Sequence, residues 1–157
     1  MLYRRAGPGL EVLLVHPGGP FWAKKDDGVW SIPKGLVDSD EDFLAAARRE
    51  FEEETGALLP SRSDLRSSSP LASGEAIPLG DFKQKGGKIV TAFAVEGDFD
   101  LAQFRSKTFS MEWPPRSGKR TEFPETDRAG WFGLDEARRK LLAGQVAMPD
   151  ALAAKAG

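Results

Sequence analysis

The sequence predicts an α+β domain with helices layered on a sheet, and three observations carry that expectation. A Val- and Leu-rich run from Leu10 to His16 reads as a buried strand. A long helical segment closes at Gly56, and two further apolar runs, Ile77 to Lys85 and Lys88 to Glu96, turn on Gly86-Gly87. Because strands and helices do not alternate strictly, a layered α+β architecture fits better than a doubly wound sheet.

Taken in order, Leu10 to His16 is followed by a turn at Pro17 to Pro20. Gly28 to Pro33 (GVWSIP) predicts a second short strand, bounded by Asp26-Asp27-Gly28 and Pro33-Lys34-Gly35. Asp38, Ser39 and Asp40 offer N-cap oxygens for a helix running to about Thr55, and Gly56 is its stop. Residues 60–74 are serine-rich without apolar periodicity and predict a loop. After the Gly86-Gly87 hairpin, residues 98–127 read as one long loop containing Trp113-Pro114-Pro115 and a basic SGKR; loops of that length often carry function. Ala129 to Phe132 predicts a last strand, Asp135 to Leu142 a short helix, and Pro149 to Ala156 a frayed one.

The chain has 157 residues, so residues 1–157 are expected to form a single domain. It has no cysteine, which excludes disulfides, thiolate zinc sites and thiol nucleophiles and fits a cytoplasmic location. A net charge of −2 argues against a nucleic acid polymer as partner, while leaving room for a small phosphorylated one. No apolar run reaches the ~20 residues that a membrane span needs, and no signal peptide is read. The expected assembly is a monomer or homodimer.

The chemistry concentrates in GLVDSDEDFLAAARREFEEETGA, residues 35–57. At about 100° per residue with Glu50 at zero, Glu53 falls near ~300° and Glu54 near ~40°, so three carboxylates share one sector. Leu44, Ala47 and Phe51 form the adjoining apolar stripe, Arg49 lies beside Glu53, and Glu52 points away to solvent. Like charges at this spacing repel by a few tenths of a kcal/mol per pair, roughly, so the fold needs a compensating cation. Clustered hard oxygens suit Mg²⁺ or Mn²⁺. The single histidine, His16, reads as a strand-end residue.

These residues match the Nudix box, G-x5-E-x7-R-E-U-x-E-E-x-G-U, with U a bulky apolar residue. The fixed positions are Gly35, Glu41, Arg49, Glu50, Glu53, Glu54 and Gly56, with Phe51 as the first U and a smaller Ala57 as the last. WSIPKG before the box and DRAGWFGLDEARRKLL after it also resemble the family, so the likeness covers most of residues 10–145. The chain is similar to bacterial members related to diadenosine polyphosphate hydrolases and to NTP pyrophosphohydrolases. Met1 to Arg4 looks like the tail of a fuller first strand, and the serine-rich loop resembles an insertion.

The resemblance implies an α/β/α sandwich with a mixed central sheet and hydrolysis of a nucleoside diphosphate linked to another moiety, X. It implies that Glu50, Glu53, Glu54 and the Gly35 carbonyl hold divalent metal, that Glu41 orients the loop, and that Arg49 pairs with a metal-binding glutamate. Glu50 or a late-loop glutamate, Glu125 before Glu122, is the candidate general base. Lys34 is a candidate phosphate contact, Trp22, Trp30 and Phe21 are candidates for stacking a base, and Arg116, Lys119 and Arg120 are candidates for further phosphates. Lower-ranked alternatives are a diphosphoinositol polyphosphate phosphohydrolase, which needs a more basic pocket, and a silent ligand sensor, which has no need of repelling carboxylates.

Overall fold

The computed structural model describes residues 1–56 and 76–157; the serine-rich segment 60–74 and Ala57 lie outside the described residues. The N-terminal half of the described chain gives β1 (Leu2–Ala6), β2 (Gly9–Pro17), α1 (Phe43–Thr55), β3 (Ile77–Lys83) and β4 (Ile89–Glu96). The remainder gives β5 (Thr108–Glu112), β6 (Arg120–Pro124), β7 (Thr126–Gly133), α2 (Leu134–Lys140) and α3 (Met148–Ala156).

Five strands form one mixed sheet in the order β3-β4-β1-β2-β7, with β1 parallel to β4 and the other pairs antiparallel. Strand pleating sends successive side chains to opposite faces, and the two faces make two cores. Tyr3, Val12 and Leu14 pack with Ala137, Leu141, Met148 and Leu152 from α2, α3 and the segment between them. Leu2 and Leu13 pack on the other face with Phe51 of α1 and Phe99. Helices therefore cover both faces, which is the α/β/α arrangement. Leu13 and Leu14 are fully buried, each contributing about 1.5–3 kcal/mol through removal from water.

Several expectations are corrected. The segment at Met1 to Arg4 falls in β1, which lies at the middle of the sheet with Leu2 and Tyr3 buried. Gly28 to Pro33 forms only isolated bridges, Val15 to Ser31 and Trp30 to Leu141, because Trp30 turns inward and Pro33 cannot donate to a ladder. The long helix starts later than predicted: Asp42, not Asp38 to Asp40, is its N-cap and accepts from the Leu44 and Ala45 N–H groups. Its buried residues are Ala46, Phe51 and Thr55, so the apolar stripe is shifted from the Leu44–Ala47–Phe51 line. Residues 98–127 are no structureless loop, since β5 and β6 pair there as an antiparallel hairpin. The last helix is not frayed; Met148, Pro149 and Leu152 bury it against the sheet.

Lys140 and Trp30 fasten the 18–28 loop to α2. The Asp26 carboxylate accepts from Lys140 Nζ at 2.6 Å and from Trp30 Nε1 at 2.8 Å. These two donors hold the Asp26 carboxyl below the usual carboxylate range. A carboxylate with a depressed folded-state pKa stabilises the fold above its unfolded pKa and loses that contribution as pH falls through the folded value. Asp26→Asn is therefore expected to lower the melting temperature at neutral pH. Thermal melts across pH should show the gap from wild type closing below about pH 4; a gap that persists in acid would contradict the ion-pair account.

Candidate active site

The box segment folds back so that its leading loop lies on α1, and one glycine makes the approach possible. A Cβ on Gly35 would stand 1.9 Å from Glu50 Cδ and 2.2 Å from its Oε2, so only glycine admits this carboxylate against the backbone. At the other end, Gly56 caps α1 with φ 79° and its N–H donates to the Glu52 carbonyl at 2.7 Å.

Arg49 organises the interior of the segment. Its Nε and Nη2 donate to the two Glu41 oxygens at 3.0 and 2.9 Å, and Nη2 also donates to the Leu36 carbonyl at 2.9 Å. Its Nη1 donates to Glu50 Oε1 at 2.8 Å and to Glu53 Oε2 at 3.3 Å. The bidentate fork with Glu41 is the geometry in which guanidinium–carboxylate contacts are strongest. Glu41 and Glu50 together raise the Arg49 pKa. Lys107, at the foot of β5, makes a second contact, Nζ to Glu53 Oε1 at 3.0 Å.

The positive charge that the sequence reading assigned to a metal is thus supplied around Glu53 by Arg49 and Lys107. Among the described residues, no three carboxylate or histidine side chains converge closely enough to hold an ion as they stand. Glu54 differs from its neighbours. Its carboxyl is pushed up to about 7, first by burial, with the negative charges of Glu50 and Glu125 adding to the effect, against the Lys34 backbone N–H at 3.3 Å. The carboxylates of Glu54 and Glu50, the latter lying against the Gly35 backbone, are hard oxygen donors of the kind that suits a divalent metal ion.

Glu54 opens into a cavity of about 240 Å³ that Trp22, Lys34, Glu125 and Thr126 also line. Three bonds fix the Glu125 segment, one of them to the end of α1. The Glu125 N–H donates to the Lys107 carbonyl at 2.8 Å, its carbonyl accepts from Gly18 N–H at 2.8 Å, and Thr126 Oγ1 donates to the Glu54 carbonyl at 3.1 Å. Gly18 is required there, because a Cβ would come within 1.8 Å of the Pro124 carbonyl oxygen. His16 is fully buried with Nδ1 2.8 Å from Asp127 Oδ1 and Nε2 2.6 Å from the Lys25 carbonyl. It joins the loop carrying Trp22 to the strand following Glu125, a role beyond the strand-end reading.

The other predicted residues are placed as follows. Trp22 is 38% exposed with Lys25 Nζ 5.0 Å from its ring centroid. Phe21 is exposed and meets Trp113 edge-on at 5.6 Å. Trp30 is corrected from a stacking surface to a core residue: it is 5% exposed and packs edge-on against His16 and Phe132. Arg116, Lys119 and Arg120 lie on or beside the β5–β6 turn, where Arg120 bonds to Ser110, and none of them lines the described cavities. Glu122 is in register with Ser110 across the same hairpin and does not line the cavity into which Glu54 opens. Sequence reasoning missed Lys107, Thr126 and the double contact of His16, all of which act through non-local partners.

Comparison with known proteins bears on this site. An RNA pyrophosphohydrolase from Caulobacter vibrioides is 43% identical over 54 residues, 31% of this chain and 31% of that protein, so the chain matches about a third of that relative's length. The crystal structure of a C. elegans Ap4A hydrolase binary complex superposes with a TM-score of 0.61 at 18% identity, covering 98% of this chain and 92% of the other. The NUDIX domain of Shewanella oneidensis NrtR, complexed with ADP ribose, gives 0.59 at 15%, covering 99% and 84%. At such identities these two structures speak for the fold. The NUDIX domain family model matches residues 1–153, and the chain therefore belongs to the Nudix family.

Proposed function

We propose that residues 1–157 form one Nudix domain that hydrolyses a phosphoanhydride in a nucleoside diphosphate linked to X, either a nucleoside triphosphate or a dinucleoside polyphosphate, with Mg²⁺ or Mn²⁺ as cofactor. The observation that carries this reading is the position of Glu54, half-buried, within the electrostatic reach of Glu50, whose carboxylate lies against the Gly35 backbone, and sharing a cavity with Glu125 and Lys34. The relatives support it, since pyrophosphohydrolase and Ap4A hydrolase are what two of them are called.

Glu50, Glu54 and the Gly35 carbonyl would hold the metal, joined by Glu53 once it leaves Arg49 and Lys107. A bound divalent ion supplies charge neutralisation at the phosphate oxygens and acidifies an attacking water. The protein's own residues do the rest. Lys34 offers an ammonium to a non-bridging oxygen at the cavity wall. Trp22 presents an aromatic face for a base at the same opening. Arg49 holds Glu41, Glu50 and the Leu36 carbonyl as one unit, which fixes the loop before substrate arrives. Water oxygen bonds to phosphorus, the bridging P–O bond breaks, and the bridging oxygen departs with the X-bearing product. Glu125, held by its own backbone bonds opposite Glu54, accepts the proton that the water loses.

Metal dependence and two substitutions test this reading. Phosphate or nucleotide release from a panel of nucleoside diphosphate derivatives should require Mg²⁺ or Mn²⁺ and stop on chelation. Glu53→Gln should reduce turnover by about two orders of magnitude or more with an unchanged melting curve, in line with loss of a metal ligand; near-normal turnover would remove the metal assignment. The second, Glu125→Gln, should lower kcat by roughly 10²-fold or more, the size of a lost general base, while Glu122→Gln stays close to wild type. Equal effects at the two positions would rule Glu125 out as the base.

A further inference from the structure

A second, larger cavity of about 1080 Å³ starts at Lys34 and Gly35, passes Trp22, and extends to the β3–β4 turn, where Lys85 and Lys88 line it. That turn is firmly held. Gln84 N–H donates to the Lys88 carbonyl at 2.6 Å, and Gly87 N–H to the Gln84 carbonyl at 3.1 Å. The Gln84 side chain straps it to the rest of the protein, donating to the Phe82 and Gly144 carbonyls at 3.0 Å each. A Cβ on Gly144 would come within 2.8 Å of Gln84 Cδ, so glycine there lets the strap close. Gly86 and Gly87, at φ 90° and 91°, let the turn be tight enough to carry both lysines to the same rim.

Two properties distinguish this end of the cavity. Lys85 and Lys88 form no ion pair among the described residues, whereas the neighbouring Asp81 carboxylate accepts from the Thr91 hydroxyl at 2.7 Å. The cavity also gathers apolar surface: of the eight large hydrophobic residues exposed among the described residues, five line it, namely Trp22, Leu36, Val37, Phe43 and Ile89. Exposed apolar side chains collected at one cavity mark a binding surface rather than chance. A volume just above the ~300–1,000 Å³ range of ligand pockets leaves room for more than one nucleotide.

We infer that the Lys85–Lys88 end is the subsite for X, and that X is a second nucleoside phosphate rather than a lone phosphate group. This rests on the hydrolase reading above for where the cleaved bond lies. A lone phosphate as X would leave the apolar wall beyond the box loop without a partner. A second nucleoside covers Leu36, Phe43 and Ile89 with a base, and the lengthened polyphosphate chain brings negative charge to the two ammoniums.

The test uses the full chain and compares diadenosine tetraphosphate with ATP, in wild type and in a Lys85→Ala/Lys88→Ala double variant. Binding is followed by calorimetry in EDTA and steady-state hydrolysis with Mg²⁺. Wild type is expected to bind the dinucleotide about tenfold tighter than ATP, a modest margin suited to solvent-exposed charge contacts. The double variant should lose about that factor in dinucleotide affinity and KM, with kcat and every ATP parameter unchanged. Equal affinities in wild type, failure of both nucleotides to bind, or an equal loss for both in the variant would overturn the inference. Lysine-dependent dinucleotide binding with no hydrolysis of either compound would leave the subsite standing and remove the hydrolase reading instead.

Discussion

The Arg49 guanidinium is the interaction on which the rest of this site depends. Without it, Glu41, Glu50 and Glu53 would be three carboxylates near one short stretch of helix and loop, each repelling the others. With it, five donors in a planar fork meet Glu41 in two bonds, Glu50 and Glu53 in one each, and the Leu36 carbonyl. A lysine at this position would carry the same charge but could not span these directions at once. The fork converts an acidic helix face into a defined arrangement, and it ties the loop bearing Gly35 to α1.

Neutralisation stops short of Glu54. Arg49 and Lys107 take up Glu50 and Glu53, while Glu54 faces the cavity with a backbone N–H from Lys34 and the charges of Glu50 and Glu125 close by. The site therefore has a compensated half that sets geometry and an under-compensated half that faces the cavity. Glu125, Lys34 and Trp22 line the same cavity as Glu54.

How much of this was legible in the sequence depended on how local the signal was. The box segment could be read because its requirements lie within one continuous stretch, residues 35–56: a glycine that admits a carboxylate, an arginine between glutamates, a glycine cap. The Gly86-Gly87 hairpin was legible for the same reason. The β5–β6 hairpin carried a usable sign that went unread, since Phe109 and Met111, and Thr121 and Phe123, alternate with exposed residues as a half-buried ribbon should. Trp30 gave no local hint that its ring turns inward, because what buries it is Phe132, His16 and the α2 side of the fold, about a hundred residues away for Phe132. Lys107 is an ordinary lysine until tertiary packing places it beside Glu53. Asp42 lost to Asp38 and Asp40 in the reading because all three offer the same capping oxygen.

The central position of β1 has a consequence for how the molecule is put together. β1 borders β2 on one side and β4 on the other, so it closes the seam between two ribbons, β3–β4 and β2–β7. As the chain emerges during synthesis, β1 and β2 can pair at once through a short turn, but the opposite edge of β1 has no neighbour until residues near Val95 have been made. Until then the nascent hairpin displays an open, apolar-flanked rim, the kind of surface that seeks any available strand. Closure of that rim is thus deferred to the middle of the polypeptide, with β7 joining β2 later still, and both halves of the sheet meet on the five residues from Leu2 to Ala6.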